Sequence, residues 1–174
     1  ANGGCDLIEI GIPFSDPIAE GPVIQEADLR SLAQGTTTDK VFELTKKLSG
    51  RVDTPLVYMT YLNVLFKYGY DKFLQNAKDA GISGVIVPDL PYEEKDELQS
   101  VAEKYDIDVI SLIAPTSEDR IKMIASDAKG FIYTVSSMGV TGMRNEIKTD
   151  LQSIVSHIKS VTDVPVAIGF GINK

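Results

Sequence analysis

Six short apolar runs recur along the chain, separated by longer stretches of mixed polarity. They are Leu7–Gly11 (LIEIG), Pro55–Tyr61 (PLVYMTY), Gly84–Asp89 (GVIVPD), Asp108–Pro115 (DVISLIAP), Phe131–Ser137 (FIYTVSS) and Val164–Gly171 (VPVAIGFG). They are rich in β-branched and aromatic residues and mostly apolar on both faces, as strands of a covered parallel sheet are. Between the runs, apolar residues return at helical spacing. Leu98, Val101, Ala102 and Tyr105 form one stripe, and Leu151, Ile154, Val155 and Ile158 form another. Pro22 suits a first helical turn, Thr38 and Ser117 suit N-caps, and Gly35, Gly50 and Gly81 suit C-caps. The interval between the first two runs has room for two helices, over 23–34 and 39–49.

Strand–helix alternation predicts a parallel α/β architecture. The order fits both an open doubly wound sheet and a (βα)8 TIM barrel. The chain stops three residues after the Gly-rich end of the sixth run, and its first residues, ANGG, carry no Met. A barrel cut short at both ends accounts for that better than a complete open sheet. The expected organisation is one partial barrel domain over residues 1–174, without linkers or low-complexity segments.

Composition narrows the functional classes. The 174 residues are 43% hydrophobic and 24% charged, enough for one sizeable core. A net charge of −8 argues against a general nucleic-acid or anionic-membrane surface. It leaves room for a local phosphate site built from backbone amides. Cys5, the single cysteine, cannot form an internal disulfide, and no signal-like amino terminus is present. A reducing, cytoplasmic setting is expected. No apolar run approaches the ~18 residues of a membrane span.

Function in parallel α/β folds gathers at the carboxyl ends of the strands. The polar residues expected there are the PFSDPIAEG loop, Tyr61, Asn63, Asp89, the SSMGVTG loop and the GFGIN end. Gly139, Gly142, Gly169 and Gly171 are candidates for a phosphate cradle, or else plain turn glycines. Glu9 sits between Ile8 and Ile10, and strand alternation turns it to the opposite face. Pointing into a barrel, it would be buried, with a raised pKa suited to proton transfer; a structural carboxylate is the alternative. Glu20 alone reads as a solvated loop acid, and His157, the one histidine, as a surface residue. No Cys/His cluster has metal spacing, and neither a P-loop nor a full GxGxxG is present. Carboxylate acid–base chemistry beside a phosphate site is what remains.

The stretches LIEIGIPFSDPIAEGP, YMTYLNVLFKYG, GVIVPDLPYEE, YTVSSMGVTG and VPVAIGFGI together resemble the α subunit of tryptophan synthase. Their order and spacing match along nearly the whole chain, and GIPFSDP is the most specific of them. The resemblance implies a (βα)8 barrel whose second to seventh strands are the six runs, with the first and eighth strands missing. It implies a lyase that cleaves indole-3-glycerol phosphate to indole and glyceraldehyde 3-phosphate. Indole then passes to a β subunit in an α2β2 complex, where pyridoxal phosphate acts; the α subunit itself needs no cofactor or metal. By the same resemblance Glu9 is the proton shuttle, and Glu20, where the family usually has Asp, bonds the indole N–H. Tyr133 lies near the reacting hydroxyl. Tyr61 walls the substrate pocket, and Thr141 lies on a closing loop. Gly142, Phe170 and Gly171 belong to the phosphate site. Asp16, Pro17 and Asn63 face the β subunit, and Asp89 is a pocket-rim acid tied to that communication.

Two other readings remain. One is a non-catalytic subunit that docks to and activates a β subunit, since Glu20 is one methylene longer than Asp and strands are missing. The other is a different phosphate-binding barrel enzyme, such as a sugar-phosphate isomerase. Open sheet edges also predict that these residues alone are inactive, poorly stable or prone to aggregate.

Overall fold

The computed structural model of the chain describes residues 3–136 and 150–169. The elements, in order, are β1 (Ile8–Gly11), α1 (Pro22–Ala33), α2 (Thr38–Ser49), β2 (Leu56–Met59), α3 (Leu62–Tyr68), α4 (Tyr70–Asp79) and β3 (Ile82–Ile86). They continue with α5 (Asp96–Ala102), β4 (Asp108–Val109), β5 (Ser111–Ile113), α6 (Glu118–Ser126), β6 (Ile132–Val135), α7 (Leu151–Lys159) and β7 (Val166–Gly169). The chain divides into two compact units: Ala1–Pro17 with Gln25–Val109, and Ile18–Ile24 with Ile110–Lys174.

The first unit holds a parallel sheet in the order β1-β2-β3-β4. Parallel register places Ile10 beside Tyr58 and Tyr58 beside Val85 on one face. Helices cover that face. Phe42 of α2 and Phe73 of α4 meet Tyr58 edge-on, at centroid separations of 5.7 and 6.1 Å, and each other at 5.2 Å. Such aromatic pairs contribute about 0.5–1.5 kcal/mol each beyond the area they bury. The opposite face carries Glu9, Val57 and Gly84 in one row, and Gly11, Met59 and Ile86 in the next.

The second unit holds the parallel sheet β5-β6-β7. Here α6 buries Ile121, Ile124 and Ala125, and α7 buries Ile154 and Ile158. Ser117 and Asp150 cap these helices, accepting from Arg120 N–H and Ser153 N–H.

Four details differ from the sequence reading. The α2 cap is Thr37, whose hydroxyl accepts from Lys40 N–H at 3.3 Å; Thr38 is already helical. The fourth apolar run breaks at Ile110: β4 pairs with β3, while β5 pairs with β6. The third run ends as a strand at Ile86, so Asp89 lies in the following loop. His157 is not simply solvated; its Nε2 faces Glu118 Oε2 of α6 at 3.5 Å. No described helix is long and apolar enough to cross a membrane.

Candidate functional site

Strand alternation in β1 is as expected, with Ile8 and Ile10 on the helix-covered face and Glu9 opposite them. The expected burial of Glu9 is not found, because its side chain is exposed. The physical reason is local. Among the described residues β1 is the outer strand of its sheet, and a Cβ added to neighbouring Gly11 would meet nothing within 4 Å. That side of the strand is open space rather than packed interior. Glu20 departs from expectation the other way. It is 7% exposed, beside buried Gly21, so it is not a solvated loop acid.

The loop after β1 is pinned by residues far from it in sequence. Phe14 stacks on Tyr61 at 5.5 Å and 28° between planes. Phe14 N–H donates to the Asp28 carboxylate. Burial pushes the Asp28 carboxyl above its ordinary range, and the Phe14 amide partly opposes that. Tyr61, which precedes α3 in extended conformation, is 4% exposed. Its own side chain makes no capping bond to α3. Asp89 supplies one instead, accepting from Leu62 N–H at 2.8 Å across 27 positions of sequence.

An open cleft of about 550 Å³ lies alongside, lined by Phe14, Ser15, Asp16, Thr37, Asn63 and Tyr68 among others. Two of the residues expected to face a partner, Asp16 and Asn63, therefore share one surface, and both are exposed. Pro17 is buried. The rim is polar but fixed: Ser15 Oγ donates to Asp16 Oδ2 at 2.5 Å, and Tyr68 donates to Asp39 while accepting from Asn76 Nδ2 at 2.9 Å.

In the second unit, Tyr133 of β6 is half-buried and its ring lies across Gly169 of β7. A Cβ on Gly169 would overlap the Tyr133 ring and hydroxyl. Gly169 thus serves to admit a side chain, which is a different use from the phosphate cradle considered for it. Thr141, Gly142, Phe170 and Gly171, with Gly139, lie outside the described residues. Among the described residues no cluster of His, Cys, Asp or Glu could hold a metal ion.

Sequence reasoning passed over Phe14, Asp28 and Leu62. Phe14 lies inside the GIPFSDP motif, but nothing in its spacing points to Tyr61. Leu62 acts through its amide, which leaves no trace in residue type.

Parallel strand–helix units with carboxylates in the first strand and the loop after it define an α/β protein. The family described as "Tryptophan synthase alpha chain" matches residues 1–174, and the chain belongs to that family. The tryptophan synthase alpha chain of Lacticaseibacillus casei is 54% identical over 173 residues, covering 99% of this chain. That of Methanosarcina acetivorans is 51% identical over 173 residues, again 99% of this chain. The chain spans 65% of the length of the first relative and 62% of the second. Among solved structures, the tryptophan synthase subunit alpha of Campylobacter jejuni superposes with a TM-score of 0.83 at 41% identity, covering 97% of this chain and 67% of that one. A structure of the tryptophan synthase a2b2 complex from Pyrococcus furiosus matches with a TM-score of 0.88 at 36% identity, covering 99% and 70%. The fold class is accordingly α/β, that of the tryptophan synthase α TIM barrel, of which the chain carries a part.

Proposed function

We propose that this chain acts in tryptophan biosynthesis as the α subunit of tryptophan synthase, a lyase cleaving indole-3-glycerol phosphate to indole and glyceraldehyde 3-phosphate. The observation that carries the reading is the family match over all 174 residues, with Glu9 held in β1 and a buried acid at Glu20. The Glu9 carboxyl gives a proton to indole C3, making an indolenine that can leave. The resulting carboxylate takes the proton of the C3′ hydroxyl as the C–C bond breaks, so the residue ends as it began. Glu20 accepts a hydrogen bond from the ring N–H, where positive charge develops. Tyr133 sits near the reacting hydroxyl and Tyr61 walls the pocket. Thr141 belongs to a closing loop, and Gly142, Phe170 and Gly171 to the phosphate site. The subunit works without a cofactor, in the cytoplasm. A β subunit receives the indole in an α2β2 complex, with pyridoxal phosphate bound only there. Asp16 and Asn63 face that partner, and Asp89 is a pocket-rim acid tied to that communication.

Indole release from indole-3-glycerol phosphate, assayed with and without β subunit, is the direct test. Absence of substrate-dependent indole in both conditions removes the lyase assignment. Glu9→Gln is expected to abolish turnover while phosphate-ligand binding persists; near-normal turnover would make Glu9 a structural residue.

A second reading is a docking and activating subunit without cleavage. It is favoured by the exposure of Glu9 and by Asp16 and Asn63 sharing one cleft. Its signature is stimulation of β-subunit activity with no cleavage of indole-3-glycerol phosphate.

A further inference from the structure

Tyr61 is held from two sides by groups that belong to different loops. On one side the Phe14 ring lies against it at 5.5 Å, nearly parallel. Phe14 is itself anchored through its N–H to Asp28 on α1. On the other side Asp89 accepts from the N–H of Leu62, the very next residue, at 2.8 Å. Tyr61 and Leu62 form the entry to α3, and no local side chain caps that entry. The first amides of a helix need partners, and an acid beside them also complements the helix dipole. Asp89 meets both needs from the loop after β3.

The consequence lies in what this entry carries. Tyr61 is 4% exposed, while Asn63, two residues on, is exposed and lines the cleft together with Asp16. Asp16 follows Phe14 by two residues, and both line the same cleft. Any shift of the Tyr61 backbone moves Asn63 with it, and any shift of the Tyr61 ring presses on Phe14 and the Asp16 loop.

We propose that Phe14 and Asp89 are positioning residues that clamp Tyr61 between the β1–α1 loop and the start of α3. The substrate-facing part of this inference rests on the lyase reading above. Neither residue touches reacting atoms. Phe14 fixes the ring plane, and Asp89 fixes the backbone that the ring hangs from.

The experiment has an arm independent of catalysis. In the full chain, amide hydrogen exchange at Leu62 is read by NMR. Asp89→Ala is expected to speed that exchange at least tenfold, while Asp89→Asn, which keeps an acceptor oxygen, retains most of the protection. Equal exchange in all three proteins overturns the clamp. The second arm measures indole-3-glycerol phosphate cleavage with β subunit present. Phe14→Leu and Asp89→Ala should each raise KM several-fold more than they lower kcat, and Asp89→Asn should recover most of the loss. The double variant should cost less than the product of the single effects, because both act through Tyr61. Losses confined to stability, with KM unchanged, overturn the positioning role. If the parent protein cleaves nothing, the lyase reading fails, and the Leu62 exchange still decides the clamp.

Discussion

Tyr133 and Gly169 show how one residue's chemistry depends on another's lack of it. The Tyr133 ring occupies the space where a side chain on Gly169 would stand. Gly169→Ala therefore overpacks the site, at a cost of about 1–3 kcal/mol. Urea unfolding should show that loss in the otherwise unchanged chain and little of it on a Tyr133→Ala background. The same penalty on both backgrounds would mean that the ring is not the obstacle. Glu20 poses a residue-scale question of fit. Its carboxylate stands one methylene further from the backbone than the usual Asp, yet the side chain is 7% exposed. A buried acid has its surroundings built around it, so Glu20→Asp should lower indole release rather than restore a better geometry. Since a misplacement of roughly 1 Å can cost about 10²-fold, a fall of at least ~10-fold is expected; a gain in turnover would show that the longer acid is a handicap.

At the scale of elements, the packing of α2 and α4 on β2 turns on Tyr58. It is fully buried against Phe42 and Phe73, and its Oη has no hydrogen-bond partner. Thr45 faces it, but gives its own hydroxyl hydrogen to Val41 O at 2.8 Å. Burial pushes the Tyr58 phenol up to about 12. The unfolded phenol titrates near ~10, so the folded pKa is the higher of the two. The protonated phenol is then favoured by folding. That contribution is complete below pH ~10 and is lost as pH rises through about 12. Tyr58→Phe removes both the orphaned hydroxyl and the titration. It should be neutral or stabilising at pH 7, and its advantage should widen between pH 10 and 12. A fixed difference across that window would refute the assignment. Helix and strand identities at this scale were largely legible, since β-branched runs and i, i+3, i+4 stripes report directly on two-faced burial. The break at Ile110 was not, because an apolar run records burial and not which neighbour each half pairs with. The Phe14–Tyr61 stack and the Asp89–Leu62 bond were equally invisible, being set by backbone paths that meet only after folding.

For the whole molecule, the pattern of faces was readable but the filling of each face was not. Alternation placed Glu9 opposite Ile8 and Ile10; only the outer position of β1 and the open space at Gly11 explain its exposure. The same openness bears on solution behaviour. Among the described residues β1 and β7 are outer strands of their sheets, and Ile18, Val23 and Phe66 are 72%, 76% and 70% exposed. Outer strands and apolar side chains favour self-association. The net charge of −8 at pH 7 opposes it by repulsion. That opposition must vanish near the isoelectric point of about 4.6. At pH 7 it must also weaken with salt, as the screening length falls from about 10 Å at 0.1 M to about 3 Å at 1 M. Light scattering should therefore report a small, constant radius at pH 7.5 in low salt. The radius should grow as pH falls toward 4.6, or as salt rises at pH 7.5, with far-UV circular dichroism unchanged at the onset. Growth that ignores salt would point to unfolding rather than lost repulsion, and a constant radius at pH 4.6 would show that the outer strands and exposed apolar groups are not adhesive.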